Sequence, residues 1–570
     1  MMRKGSIQDP KPTIVGNWWD KLGKPQYGGE MVIRASRNIV NFDPYFSGGL
    51  STIQTAWMEK LHADDWTLDP AKFDYKTCWR PSQYLKGQLA ESWEFSNPST
   101  LIVHLRKGIY WQDLPPANGR EFIADDVVFH YNRMCGLGGQ FTKSAPGNAT
   151  VPMFKDLISV TANGKYTVIF KWKTPNPESI METLLGASLT SCLENPDAVK
   201  QWGDVSDWHH AIGTGPFILK DFVSGTSATL AKNPNYWGYD ERYPKNRLPY
   251  IEKVKYLIIP DNIEALAEMC AGKIDVIDGV SPVQAQAIRK TNPEILQIIT
   301  PLPPTFSISL RIDRAPFNDI RVRKAMQMAI DLPSIAKDYY RGTVEPYPDT
   351  LTSRYMKGWG FPYNEWPQDL KDEYAYNPTV GKKLLADAGY PNGFKTNIVA
   401  DAAGDMDLLQ IVKSSFAQVG IDMEILPMET AAWVDFVQVG RKHDQLFHTP
   451  AGALGHTAPP IVQLSWLQKG SPKIHGVSDP ACDAFNAKAM AATNLDEVRG
   501  ILRDANEYVA RQHFAISLLQ AMSYSLCQPW LKGFNAQFGS TWAVASGPLM
   551  LSLYLGRFWV DQNLKKSMGQ

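Results

Sequence analysis

A strand–helix–strand rhythm constrains this chain more than any other feature. The alternating run Val254–Ile259 predicts a strand, a helix follows from about Asn262 to Cys270, and Gly272-Lys273-Ile274-Asp275-Val276 opens another strand. Such a unit closes only in an α/β sheet, because the helix has to cover the face of the strands it joins. The second half repeats the pattern with full punctuation. Asn377 caps a helix, Pro378 takes its first turn and Gly389 stops it before Tyr390-Pro391. Leu408, Ile411, Val412, Ser415 and Val419 predict the next helix, and Ile421–Leu426 the next strand. Between the rhythmic parts, Thr100 to Arg106 alternates with Leu101, Val103 and Leu105 on one face, a half-buried strand. Val127, Tyr131 and Met134 then mark an amphipathic helix.

Composition narrows the function classes. With 570 residues the chain is long enough for two to four domains. Lysine plus arginine and aspartate plus glutamate both number 58, which removes the electrostatic case for a nucleic-acid partner. No window approaches 18 uninterrupted apolar residues, so no transmembrane helix is expected. Met1 to Tyr27 is a polar tail without the apolar core of a signal peptide, as in a chain that starts after a removed export signal. Six cysteines show no CxxC spacing; some could pair, and at least two are expected as small buried hydrophobes. There is no GxSxG, HExxH or Walker loop, so the chain is not expected to be an enzyme, and no cofactor is implied.

A series of short motifs runs in one order along the chain: Leu89-Ala90-Glu91-Ser92-Trp93, Arg106-Lys107-Gly108, Asp126-Val127, Gly213-Thr214-Gly215-Pro216-Phe217, and Asn233-Pro234-Asn235-Tyr236-Trp237-Gly238. Pro316-Phe317-Asn318-Asp319-Ile320-Arg321-Val322-Arg323-Lys324-Ala325 and Ala329-Ile330-Asp331 close it. Together they resemble the extracellular solute-binding proteins of family 5, the peptide/dipeptide/nickel-type substrate-binding proteins of ABC importers, over roughly Gly28 to Phe558. The resemblance implies an α/β, two-lobed periplasmic-binding-protein fold (class II, cluster C type) with an extra subdomain in the first lobe. The expected division is a tail over 1–27, lobe I over 28–60 and 196–305 with the extra subdomain at 61–195, lobe II over 306–524, and a return to lobe I over 525–570. Relatives usually carry a threonine helix cap where Ile123 stands; either Asp125 takes that role or the helix starts differently. Gly213-Thr214-Gly215 reads as a turn at a domain junction, not as a phosphate loop.

The resemblance also implies a monomer that works outside the cytoplasmic membrane, periplasmic or lipid-anchored, and hands a small-molecule ligand to an ABC permease. Ligand contacts are expected from Phe42, Asp43 and Tyr45 after the first strand, from Trp433, and from the stretch holding His448 and Thr449. Asp401 and Asp405 are either ligand groups or helix-start charges. Arg311, where many relatives place asparagine, either pairs an acidic ligand or forms an internal ion pair with Asp313. Peptide binders of the family hold the α-amine with an aspartate, yet none stands here between Asp444 and Asp479. Some hold the α-carboxylate with an arginine in the loop matching Ala400–Asp405, which has none. The cargo is therefore expected to be an oligosaccharide, a modified peptide or an organic acid. The spacing of His443, His448 and His456 matches no compact metal motif.

Overall fold

The computed structural model describes residues 17–36, 38–46, 53–69, 71–73, 82–138, 140–145, 156–177, 180–181, 191–301, 307–402, 404–449, 460–469, 476–492, 494–533 and 554–570. Its architecture is mixed α/β in two lobes. The first lobe carries a seven-stranded sheet ordered Leu296–Pro301, Met522–Cys527, Val276–Val280, Glu30–Ala35, Lys253–Ile258, Ser227–Lys232 and Phe217–Val223. The second carries a five-stranded sheet ordered Ile421–Met428, Phe394–Asp401, Leu446–Thr449, Ser307–Leu310 and Ala515–Ser517. A separate antiparallel sheet of Ala90–Asn97, Thr100–Leu105, Thr167–Trp172 and Leu157–Ala162 is covered by the helix Ala124–Cys135. Its alternation is realised: Leu101, Val103 and Leu105 are buried, as are Val127, Tyr131 and Met134 of the helix.

Local chemistry places the helices. Asp261 accepts from the backbone of Ile263 and Glu264, both at 2.8 Å, and starts Asn262–Cys270 between two parallel strands. Asn377 accepts from Val380 at 3.1 Å, and Asp319 from Arg321 at 2.9 Å. One expected cap is displaced. Asp125 is exposed, and Asp126 instead accepts the backbone N–H of Ile123 at 3.0 Å. The third helical position lets a carboxylate reach back to the cap residue, which the second does not.

Each lobe has its own apolar core, the first shared with the extra sheet. Two segments join the lobes. In one the chain leaves the first sheet at Pro301 and enters the second at Ser307; the other is Leu518–Ala521, where Leu518, Leu519 and Ala521 pack into the second lobe's core. The return strand begins at Met522 and belongs to the first sheet, so the chain re-enters the first lobe before residue 525, the start assigned from the motifs.

Candidate functional site

Strand direction locates the cleft. Pro301, where the chain leaves the first sheet, is the register partner of Met522, where it returns. Val280 lies opposite Tyr524, so the carboxyl end of Val276–Val280 is at that same end of the sheet. Its parallel neighbours Glu30–Ala35 and Lys253–Ile258 end there too. In the second sheet Ser307 pairs with both Ser517 and Thr449 at the end where the chain enters and leaves. Phe394–Asp401 and Ile421–Met428 run parallel to Leu446–Thr449, which brings Asp401 and Met428 to this end. The carboxyl ends of these strands therefore face one another across the crossovers, the place where open α/β sheets receive ligands.

The expected site residues fall on different sides of this cleft, and some fall away from it. Asp401, His448 and Thr449 lie at the cleft end of the second lobe. His448 is fully buried, and burial, partly offset by Asp401, lowers its imidazole to about 4, so it is neutral at pH 7. Asp405 accepts from the backbone of Leu408 at 3.0 Å and from the Tyr339 hydroxyl at 2.6 Å, which makes it the cap of Met406–Ala417. Trp433 does not stand open as an aromatic wall. Its short helix folds it back onto the sheet, where it is 2% exposed among Val399, Val437 and Phe447, and its indole donates to the Val399 carbonyl at 3.4 Å.

Arg311 is at the wrong end for a cargo anchor. Strand Ser307–Leu310 runs away from the crossover, and the Arg311 backbone N–H bonds Gln445, just before Leu446–Thr449 begins. Its guanidinium grips Asp313 through Nε at 2.8 Å and Nη2 at 2.7 Å, and donates to the His443 carbonyl at 2.8 Å. The internal ion pair is the arrangement observed. His443 shares that far end, while His456 lies outside the described residues.

On the first lobe, Phe42, Asp43 and Tyr45 follow the cleft end of Glu30–Ala35. Asp43 is completely buried and its oxygens are occupied by Arg133 at 2.9 and 2.6 Å, Tyr45 N–H at 2.8 Å and Val205 N–H at 3.0 Å. Arg133 extends this knot to Glu194 at 3.3 Å, and Glu194 also contacts His130. Burial pushes the Glu194 carboxyl up, but His130 and Arg133 outweigh it and hold it at about 2. Phe42 is buried edge-on against Phe222 at 5.1 Å, beside a shallow groove of about 550 Å³. Tyr45 is half-buried, with its ring over the Arg133 guanidinium at 4.9 Å.

A second knot has no counterpart among the residues expected from the motifs. Glu59, 1% exposed, accepts from Thr214 at 2.8 Å, Tyr236 at 2.9 Å, Trp237 at 2.9 Å and Gln88 at 3.2 Å. Two of the recurring motifs thus converge on one carboxylate. A Cβ on Gly213 or Gly215 would meet the Trp57 carbonyl oxygen at 1.8 or 2.7 Å, which is why that turn carries glycine. The signal in the sequence was a cluster of hydroxyl and indole donors needing a buried acceptor. Of the cysteines, 135, 192, 270, 482 and 527 are free thiols, with Cys192, Cys482 and Cys527 buried. Among the described residues no group of three or more metal-ligating side chains occurs, and no helix is long and apolar enough to cross a membrane.

Known proteins share this arrangement. Residues 85–470 match the family model described as bacterial extracellular solute-binding proteins, family 5 Middle. The heme-binding protein A of Haemophilus influenzae is 27% identical over 80% of this chain and 82% of its own length. The glutathione-binding protein GsiB of Shigella flexneri is 24% identical over 89% and 91%. In fold, the periplasmic binding protein DppA from Helicobacter pylori, in complex with the peptide STSA, superposes with a TM-score of 0.71 at 21% identity, over 94% of this chain and 99% of that one. The matched span covers most of the chain, and the two-lobed fold agrees with it: the chain belongs to the family 5 bacterial extracellular solute-binding proteins.

Proposed function

We propose that this solute-binding protein is the substrate-binding component of an ABC importer, acting outside the cytoplasmic membrane as a monomer, and that its cargo is a small modified peptide. Two lobes with separate cores, joined by two adjacent crossovers, form a hinge. A ligand that touches both cleft edges stabilises the closed form through contacts the open form lacks, and a permease can recognise that form. No bond in the cargo has to be made or broken.

The observation that carries the cargo reading is the charge inventory at the second lobe's cleft end. An ordinary linear peptide brings an ammonium and a carboxylate far apart, and burying either without a partner costs several kcal/mol. Loop 400–405 offers no arginine, its Asp401 is buried, no aspartate stands between Asp444 and Asp479, Asp405 is spent on its helix, and Arg311 is paired at the far end. The names of the relatives support a peptide-like cargo with an unusual linkage, since GsiB is a glutathione-binding protein that aligns with most of this chain.

The test is a thermal-shift panel on refolded protein with glutathione, linear tripeptides, oligosaccharides, organic acids and hemin. Ligand at 100-fold over Kd adds about 2.7 kcal/mol of stability. A shift with glutathione, recovered unchanged afterwards, is the expected result. A shift with ordinary tripeptides alone, or with sugars alone, overturns the cargo reading.

A further inference from the structure

The lobes meet at a second place besides the crossovers. Asn176 follows Thr167–Trp172 of the extra sheet, on the first-lobe side, and is 1% exposed. Its Nδ2 donates to the Ala489 carbonyl at 3.0 Å, across 313 residues of chain. Ala489 lies near the end of the second-lobe helix Pro480–Ala491 and is fully buried. The bond is thus shielded from water at both ends. Met490, the next residue of that helix, packs against two cores at once. One is the helical cluster of its own lobe, around Leu464, Leu502 and Val509; the other is the core of the first lobe. Phe73, on the first-lobe side with its ring 5.0 Å from Tyr84, bridges the same two cores.

Neither Asn176 nor Met490 stands on an element that carries a crossover. The chain leaves and re-enters the first lobe through the seven-stranded sheet, not through the extra sheet. Leu518, Leu519 and Ala521 of the second crossover pack into the other apolar core of the second lobe, around Ile308 and Ala400. A rotation about the crossovers that opens the cleft therefore has to part Asn176 from Ala489 and lift Met490 off the first lobe. It breaks a buried hydrogen bond and returns apolar surface to water, and both oppose opening.

We infer that Asn176 and Met490 form a latch that holds the two lobes together and so positions both cleft edges for the cargo. This rests on binding by lobe closure and adds to it a contribution that the protein itself makes to closure. A ligand that binds only the closed form has its apparent affinity reduced by the fraction of protein that is closed. The latch raises that fraction before any ligand arrives. It strengthens binding of every cargo alike and touches none, so Asn176 and Met490 are positioning residues and selectivity is set by other groups.

The experiment pairs small-angle X-ray scattering of ligand-free protein with titration calorimetry against glutathione, on the wild type, N176D, M490A and M490L. N176D keeps the shape of the side chain but sets an oxygen against the Ala489 carbonyl. M490A removes the bridging side chain, and M490L restores its apolar bulk. N176D and M490A are each expected to raise the open-to-closed ratio about fivefold, seen as a larger radius of gyration, and to weaken glutathione by up to the same factor. M490L is expected to match the wild type in both. Scattering and affinity unchanged in N176D and M490A overturn the inference, as does a lower melting temperature with unchanged scattering, which marks a merely structural contact. Where N176D fails to fold, M490A against M490L decides. A wild type that does not bind glutathione overturns the cargo reading alone, and the ligand-free scattering of the variants still decides the latch.

Discussion

Two buried charges in the first lobe behave in opposite ways. Glu59 is saturated: Gln88, Thr214, Tyr236 and Trp237 all donate to it, and burial raises its carboxyl although these donors offset part of the push. Arg34 is left incomplete, with two carbonyls and a spare N–H at the cleft end. Three of the four donors to Glu59 belong to the motifs that mark the family, while none of those motifs contains Arg34. Motif residues here satisfy one another and build the scaffold.

Glu59→Ala tests this contrast most severely. It strands four donors, three of them buried, and is expected to remove about 3–5 kcal/mol in chemical denaturation, with the affinity of the folded fraction for glutathione intact. A change under about 1 kcal/mol erases the distinction between knot and cleft. Gly213→Ala comes next, because its Cβ collides with the Trp57 carbonyl and pushes Thr214 from Glu59; about 3 kcal/mol is expected. Gly225→Ala is the control. It has φ +71° but open space, and costs about 1 kcal/mol through backbone strain alone.

Acid probes both lobes at once. Burial lowers His62 in the first lobe to about 3 and His448 in the second to about 4, against 6.5 when unfolded. Both imidazoles stay neutral in the fold, so their contribution is complete above pH 6.5 and is lost as pH falls toward those values. Each is expected to remove on the order of 2–3 kcal/mol between pH 6.5 and 4. Replacing either by glutamine should flatten its share of the stability–pH curve; a curve unchanged by both replacements would place the acid sensitivity elsewhere. The smallest effect is expected from Arg311→Gln. Its partner Asp313 is partly exposed, so the destabilisation stays under about 1 kcal/mol and glutathione affinity does not move. A tenfold weaker affinity there would return Arg311 to the binding site.

The outcome for individual residues shows what kind of information the chain carries in its order. Asn377, Asp319 and Asp261 cap helices because a side-chain oxygen reaches a backbone N–H within three positions, and sequence holds that whole relation. Asp125 failed as a cap by a single position along the helix, which is the resolution limit of reading caps from spacing. Trp433 looked like a wall because of its place in the chain, yet helix direction turned it into the sheet. Arg311 was named by position alone, and only the course of Ser307–Leu310 puts it at the end away from the crossovers.

Residue order was enough for the α/β class, the helix starts, the half-buried strand Thr100–Leu105 and membership in a binding-protein family. All of these rest on contacts between residues a few positions apart, or on motifs that can be read in order. Two things needed the folded chain: which end of each strand faces the cleft, and that Glu59 gathers motifs up to 178 residues away. The two sets differ in range. Capping and alternation are satisfied locally, whereas a polar group's spare hydrogen bond is known only after every distant strand has taken its place.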